Sequence, residues 1–272
     1  MIPALNAPTR ALGGRTLLRW SGMTWLAVAI AGQAAFVAFI LAYYGTRTAA
    51  GNFESWNDKS LITGHVHGDT AGNIMFAVHV LLAAYVTVGG LIQLIPALRV
   101  RYRALHRLNG RAYIATACFM ALGGLWLTWA RGSYLSVISG VSVSLNGVLI
   151  LVFAALALQF ARQGRYEQHR RWAMRTFMVV SGVWFFRVFL MAWIVLNGGP
   201  VGMNSTLSGP ADLAIQFGSY LIPLAGLEVY FLAQRSTSSA MKFAASSLVF
   251  GLTLLMAAGI AGAILFMWLP EM

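Results

Sequence analysis

The chain has 272 residues, of which 59% are hydrophobic and only 10% charged, with a mean hydropathy of +0.72. That leaves too little polar surface to cover a water-soluble globule of this length, so the solvent it implies is lipid. The excess of 19 Lys and Arg over 7 Asp and Glu sits in short stretches between apolar runs, which speaks for membrane topology and against nucleic acid as a partner.

A membrane-spanning helix needs about 20 mostly apolar residues, and seven stretches meet that requirement. The first, roughly 22–44, follows Arg10, Arg15 and Arg19. It exceeds the roughly 7–15-residue core of a cleavable signal, so it is expected to be a retained helix behind a tail of residues 1–21. An outer stretch, 45–72, leaves room for one short interfacial helix. Six further spans follow at about 73–97, 112–131, 143–161, 174–197, 213–234 and 243–269. The expected architecture is therefore all-α, one polytopic seven-span bundle over residues 22–272. The Gly-, Asn-, Ser- and Pro-rich segment 197–210 is expected to be irregular and mobile.

Basic residues sort by side. The tail and the turns after the second, fourth and sixth spans hold 15 of them, against Arg47, Lys59 and Arg131 on the other face. This bias puts the N-terminus in the cytoplasm and the C-terminus outside, as for a multi-pass membrane protein whose basic turns face anionic headgroups. Trp20, Tyr43, Tyr44, Tyr113, Trp172 and Trp268 fall near span ends and are expected to anchor the interfaces. Gly89-Gly90, Gly123-Gly124 and Gly259 with Gly262 are expected to let helix backbones approach closely. RALHRLNGR at 103–111 and YEQHRRWAMR at 166–175 each place a His-Arg pair before an outward-going span, a faint internal echo.

Chemistry has few places to sit. Cys118 is the single cysteine, so no intrachain disulfide or thiolate cluster can form. His65 and His67, with Asp69, make a weak metal-site pattern in the outer loop; the competing reading has Asp69 capping the second span. His79 lies within that span, where an ionisable group is costly without a partner, so it is a candidate haem b ligand or proton relay. From His79 to Ala97 is eighteen residues, about 27 Å of helix, so His79 cannot share an iron with His106 or His169 at the other edge. Those two form an inner pair that could receive a quinone or headgroup, with Arg111 and Arg175 among the flanking charges. Arg187, Glu228 and Gln93 complete the intramembrane polar set, and Arg187 with Glu228 is expected to form a polar interior spot beside the kink-capable Pro223.

Several of these residues resemble a known family, the predicted membrane proteins of domain of unknown function 2306. The resemblance rests on His79, Gly89-Gly90 and Gln93, on HRLNGRAY at 106–113, on HRRWAMR at 169–175, on Arg187, and on Glu228 with Tyr230. It covers roughly residues 65–232, and it implies a polytopic bacterial membrane protein with His79, His106, His169, Arg187 and Glu228 as site members. It implies no reaction. The residues themselves favour a redox or cofactor-binding protein carrying haem b, a metal or a quinone. The alternatives are a small-solute or proton-coupled transporter with Arg187 and Glu228 in its cavity, or a non-enzymatic assembly protein. No nucleophile with a base, phosphate loop or catalytic carboxylate pair is present to make it a hydrolase or kinase.

Overall fold

The computed structural model describes residues 7–58 and 63–272, with side chains from residue 13 onward. The first six residues of the tail, and Lys59 of the outer basic count, lie outside the described residues. Among the described residues ten α-helices follow one another: α1 Ala7–Ile40, α2 Thr46–Ala49, α3 Thr70–Leu94, α4 Pro96–Arg101, α5 Arg103–Trp129, α6 Val137–Arg162, α7 Tyr166–Val180, α8 Gly182–Asn197, α9 Pro210–Arg235 and α10 Ser239–Ala263. No strand occurs among the described residues. Among the described residues six helices are long and apolar enough to cross a membrane unaided, and counting the bent pair α7 with α8 as one more gives seven.

The fifth span differs from the expectation of a single helix at 174–197. It starts at Tyr166, breaks at Ser181 and turns by 53° into α8. The physical reason is local: Ser181 and Gly182 are a Ser/Gly pair, one of the few sequence causes of a sharp kink. The basic stretches at 103–111 and 166–175 are likewise helical, as the first turns of α5 and α7. Helix α1 also begins well inside the expected tail.

The helices close a ring. α1 packs on α10 and α3, α5 on α3 and α6, α7 on α6 and α9, and α8 on α9 and α10. Glycines let some of these backbones meet. A Cβ on Gly259 of α10 would collide with the Val188 carbonyl of α8, and one on Gly262 would stand 3.0 Å from Val195. Leu122, Leu254 and Phe266 point outward and are more than half exposed, as a lipid-facing surface requires.

The aromatic anchors are corrected. Trp20 is exposed, but Tyr43, Tyr44, Tyr113 and Trp268 are buried. Phe39 stacks with Tyr43 at 5.6 Å and with Trp268 at 6.2 Å, so these rings form an internal cluster at the arginine-poor end. Position near a span end does not tell whether a ring faces lipid or protein. Segment 197–210 is irregular as expected, and the Asp212 carboxylate accepts from the backbone of Asn204 at 2.9 Å and Gly209 at 3.1 Å.

Candidate functional site

Two cavities lie inside the ring. At the arginine-rich end a basin of about 1,520 Å³ is walled by residues of α1 and of α3 through α10. Deeper, a chamber of about 290 Å³ is walled by α1, α3, α5, α6, α7 and α8. Tyr113 and Phe177 wall both, so they form the partition. Gly90 makes the partition possible: a Cβ there would stand 3.1 Å from both rings.

Local packing explains why the α5 motif has its spacing. Asn109 donates from Nδ2 to the Gly89 carbonyl at 2.9 Å, and Gln93 donates from Nε2 to the His106 carbonyl at 3.1 Å. Gly110 leaves room for Gln93, whose Oε1 would lie 3.2 Å from a Cβ at that position. His106, Asn109, Gly110 and Tyr113 thus follow one stripe of α5 along α3, at the helical spacing of three and four.

The α7 motif is held by charge. Arg175 makes a bidentate pair with Glu228 of α9, Nε to Oε1 at 2.7 Å and Nη2 to Oε2 at 2.8 Å. Arg170 and Arg171 both donate to Glu167 one turn earlier, and the Arg175 guanidinium stacks 4.5 Å over Trp172. His169 engages the Ala157 carbonyl of α6 through Nδ1 at 2.9 Å. A carbonyl can only accept, so Nδ1 carries a proton in this contact and the other ring nitrogen, Nε2, is the one left for a further partner.

The basin therefore collects His106, His169, Gln93 and Arg111, with Arg19, Arg99, Arg103, Arg107, Arg162 and Arg170 at the same end. His106 and His169 are within electrostatic reach of each other, and His106 Nδ1 is buried without a partner. Below this basic rim the wall is apolar, with Leu94, Ile114, Met178, Phe189, Leu227 and Met256. An amphipathic guest with an anionic head matches that division.

The deep chamber holds His79 and Arg187. Gly124 leaves space for the imidazole, a Cβ there standing 3.4 Å from Cε1. Arg187 donates to the Val183 carbonyl at 3.0 Å and lies 5.3 Å from the Phe36 ring centre. The expected spot uniting Arg187 with Glu228 is not formed, because Arg175 takes Glu228. Gln33, Asn146, Ser181 and Trp184 also wall this chamber, and sequence reasoning missed all four. The available signal was a lone amide inside an apolar run, Gln33 in α1 and Asn146 in α6.

In the outer loop the metal reading fails. No group of three His, Cys, Asp or Glu side chains among the described residues is placed to hold a metal, so His65, His67 and Asp69 do not form one. Asp69 is the N-cap of α3 and accepts from the Gly72 backbone at 2.9 Å and from Arg131 Nε at 2.8 Å. The Gly72 bond first, and Arg131 second, hold its carboxyl below the ordinary carboxylate value. Arg131 also donates to the Gly64 carbonyl and to Asn73, which fastens the loop to the end of α5.

The model of the family described as predicted membrane protein (DUF2306) matches residues 76–211, half of the chain. The match takes in both histidine motifs, the partition and the α7–α8 break, while Glu228 and Tyr230 lie beyond it. No curated protein and no solved structure matches the chain.

Proposed function

The chain belongs to the DUF2306 family of predicted membrane proteins, and on that footing we propose that its basin holds an amphipathic redox cofactor at the cytoplasmic face of a bacterial inner membrane. The form the side chains fit best is a b-type haem, with His169 and His106 as ligands. One observation carries the reading: two imidazoles wall a single chamber, and His169 is oriented by a carbonyl at Nδ1. Metal-ligating histidines almost always donate their second N–H in this way, which fixes the ring and raises its basicity. The volume of about 1,520 Å³ is ample for such a group, whereas the 290 Å³ around His79 lies at the lower edge of ligand sites and offers no second imidazole.

The residues divide the work. His169 and His106 bind, the basin arginines hold carboxylate or other anionic substituents, and the apolar lower wall excludes water. Bound there, the haem would supply one-electron transfer. Exposed arginines on the same end, Arg101 and Arg107, meet anionic headgroups. A quinone would use the same imidazoles and Gln93 as hydrogen-bond partners.

A reduced-minus-oxidised visible spectrum of the purified protein tests the reading. A sharp haem difference spectrum is expected, lost in H106A and H169A preparations that still elute as folded protein. A colourless preparation that also yields no quinone on extraction would overturn it. A second reading, a small-solute permease, is favoured by the broken span at Ser181 beside the deep chamber, since discontinuous helices often build transport sites. Uptake into proteoliposomes under a pH gradient tests that one.

A further inference from the structure

Nine buried side-chain polar atoms lack a hydrogen-bond partner among the described residues, and five of them belong to residues walling the deep chamber. They are Gln33 Oε1, His79 Nδ1, Tyr113 OH, Asn146 Oδ1 and Trp184 Nε1. Buried polar groups in folded proteins are almost all satisfied, and an orphan calls for a specific explanation. Five orphans around one cavity of about 290 Å³ call for a common one. Gln33 is only 1% and Trp184 only 2% exposed, so neither reaches a partner at the surface.

Arg187 adds a charge. Its described neighbours are one carbonyl, the face of Phe36 and, within electrostatic reach, the Tyr44 phenol, and no carboxylate pairs with it among the described residues. A guanidinium held at that depth without an anion is costly. The wall also contains the helix break: Gln33 Nε2 donates to Ser181 Oγ at 3.1 Å, which ties α1 to the point where α7 ends.

We propose that this chamber is a binding site for a small hydroxycarboxylate. Arg187 meets the carboxylate, with the Trp184 N–H as a further donor. The guest's hydroxyl donates to an amide oxygen, Gln33 Oε1 or Asn146 Oδ1, once that side chain turns its covered oxygen to the chamber, a bond that chloride, with no hydroxyl, cannot make. His79 and Tyr113 are positioned to complete the set, as groups able to donate or accept. The volume suits a guest of a few heavy atoms and excludes a macrocycle. The site is separate from the basin's cofactor and stands whether or not that cofactor is bound.

The experiment is a titration of the detergent-solubilised full chain with lactate, followed by calorimetry and by thermal unfolding. Saturable binding and a raised Tm are expected. R187Q should weaken binding on the order of tenfold to a hundredfold, the range for losing a charged hydrogen-bond partner. N146L should weaken it less and leaves the charge in place, so it keeps the test valid if R187Q fails to fold. No lactate binding by wild type would overturn the proposal. So would binding that both variants leave unchanged, or chloride protecting as well as lactate. The H106A protein should bind lactate normally, which separates this outcome from the fate of the haem reading.

Discussion

At the arginine-rich end the polar side chains of both motifs are largely used up by the protein itself, whereas in the deep chamber they are left over. Asn109, Gln93, His169, Arg170, Arg171 and Arg175 each have a partner in a carbonyl or carboxylate. Gln33, His79, Tyr113, Asn146 and Trp184 each keep an unmatched atom. The difference separates two jobs. Motif residues close the ring and shape the basin, where His106 also keeps an unmatched Nδ1, while five of the unsatisfied residues gather around the deep chamber. Tyr113 belongs to both, as the last residue of one motif and part of the wall between the cavities.

The largest break in this division comes from Gly90. A leucine there has no room against Tyr113 and Phe177, whose rings already stand 3.1 Å from where its Cβ would be. Overpacking of this kind costs about 1–3 kcal/mol, and G90L should sit at the upper end because two rigid rings must move. Thermal unfolding in detergent is expected to show a clear loss of Tm. Lactate binding should fall with it, since Tyr113 walls the chamber. A G90L protein with wild-type stability and binding would mean that the partition is not fixed by this contact.

A smaller effect follows from the pair across α7 and α9. The Glu228 side chain is 42% exposed and that of Arg175 18%, so the bidentate bond is worth less than a fully buried one. E228Q is expected to cost about 1–2 kcal/mol after that discount. R175K should cost a comparable amount, because an ammonium cannot make two parallel bonds. A double-mutant cycle sharpens the comparison. E228Q and R175Q should be non-additive, as for residues in contact, while E228Q and R187Q should add. Coupling of Glu228 to Arg187 instead would restore the interior pair that the structure does not form.

How much of this was legible follows the same line. The seven apolar stretches could be read because a bilayer demands about 20 residues per crossing, and the motifs because their spacing is a helix stripe. The break at Ser181 was not, since the apolar run continues through Ser181 and Gly182 and only the packed structure shows the chain turning there. Arg187 lies near the middle of its span whereas Arg175 and Glu228 both lie toward the arginine-rich end, so height along the helices favours Arg175, but the face each side chain takes is not legible from spacing. Asn146 and Gln33 carried no motif at all. Their meaning appears only once three-dimensional packing puts them around one cavity with His79 and Arg187.

The smallest predicted effect lies at the far end, where Arg131 offers a counterpart to Arg187. Its side chain is 6% exposed, yet it has what Arg187 lacks, a carboxylate, in Asp69 at 2.8 Å. The Gly72 amide and then Arg131 lower the Asp69 carboxyl below its ordinary value. A group whose folded value is depressed contributes stability that is full above its unfolded value, about pH 4 for aspartate. That contribution is lost as pH falls through the folded value. Wild type should therefore lose Tm more steeply than D69N on acidification below about pH 4, while the two run parallel near neutrality with D69N the lower. Parallel curves across the acid range would show that the Asp69 pair is held open by solvent. Arg131 would then be fastened by the Gly64 carbonyl and Asn73 alone.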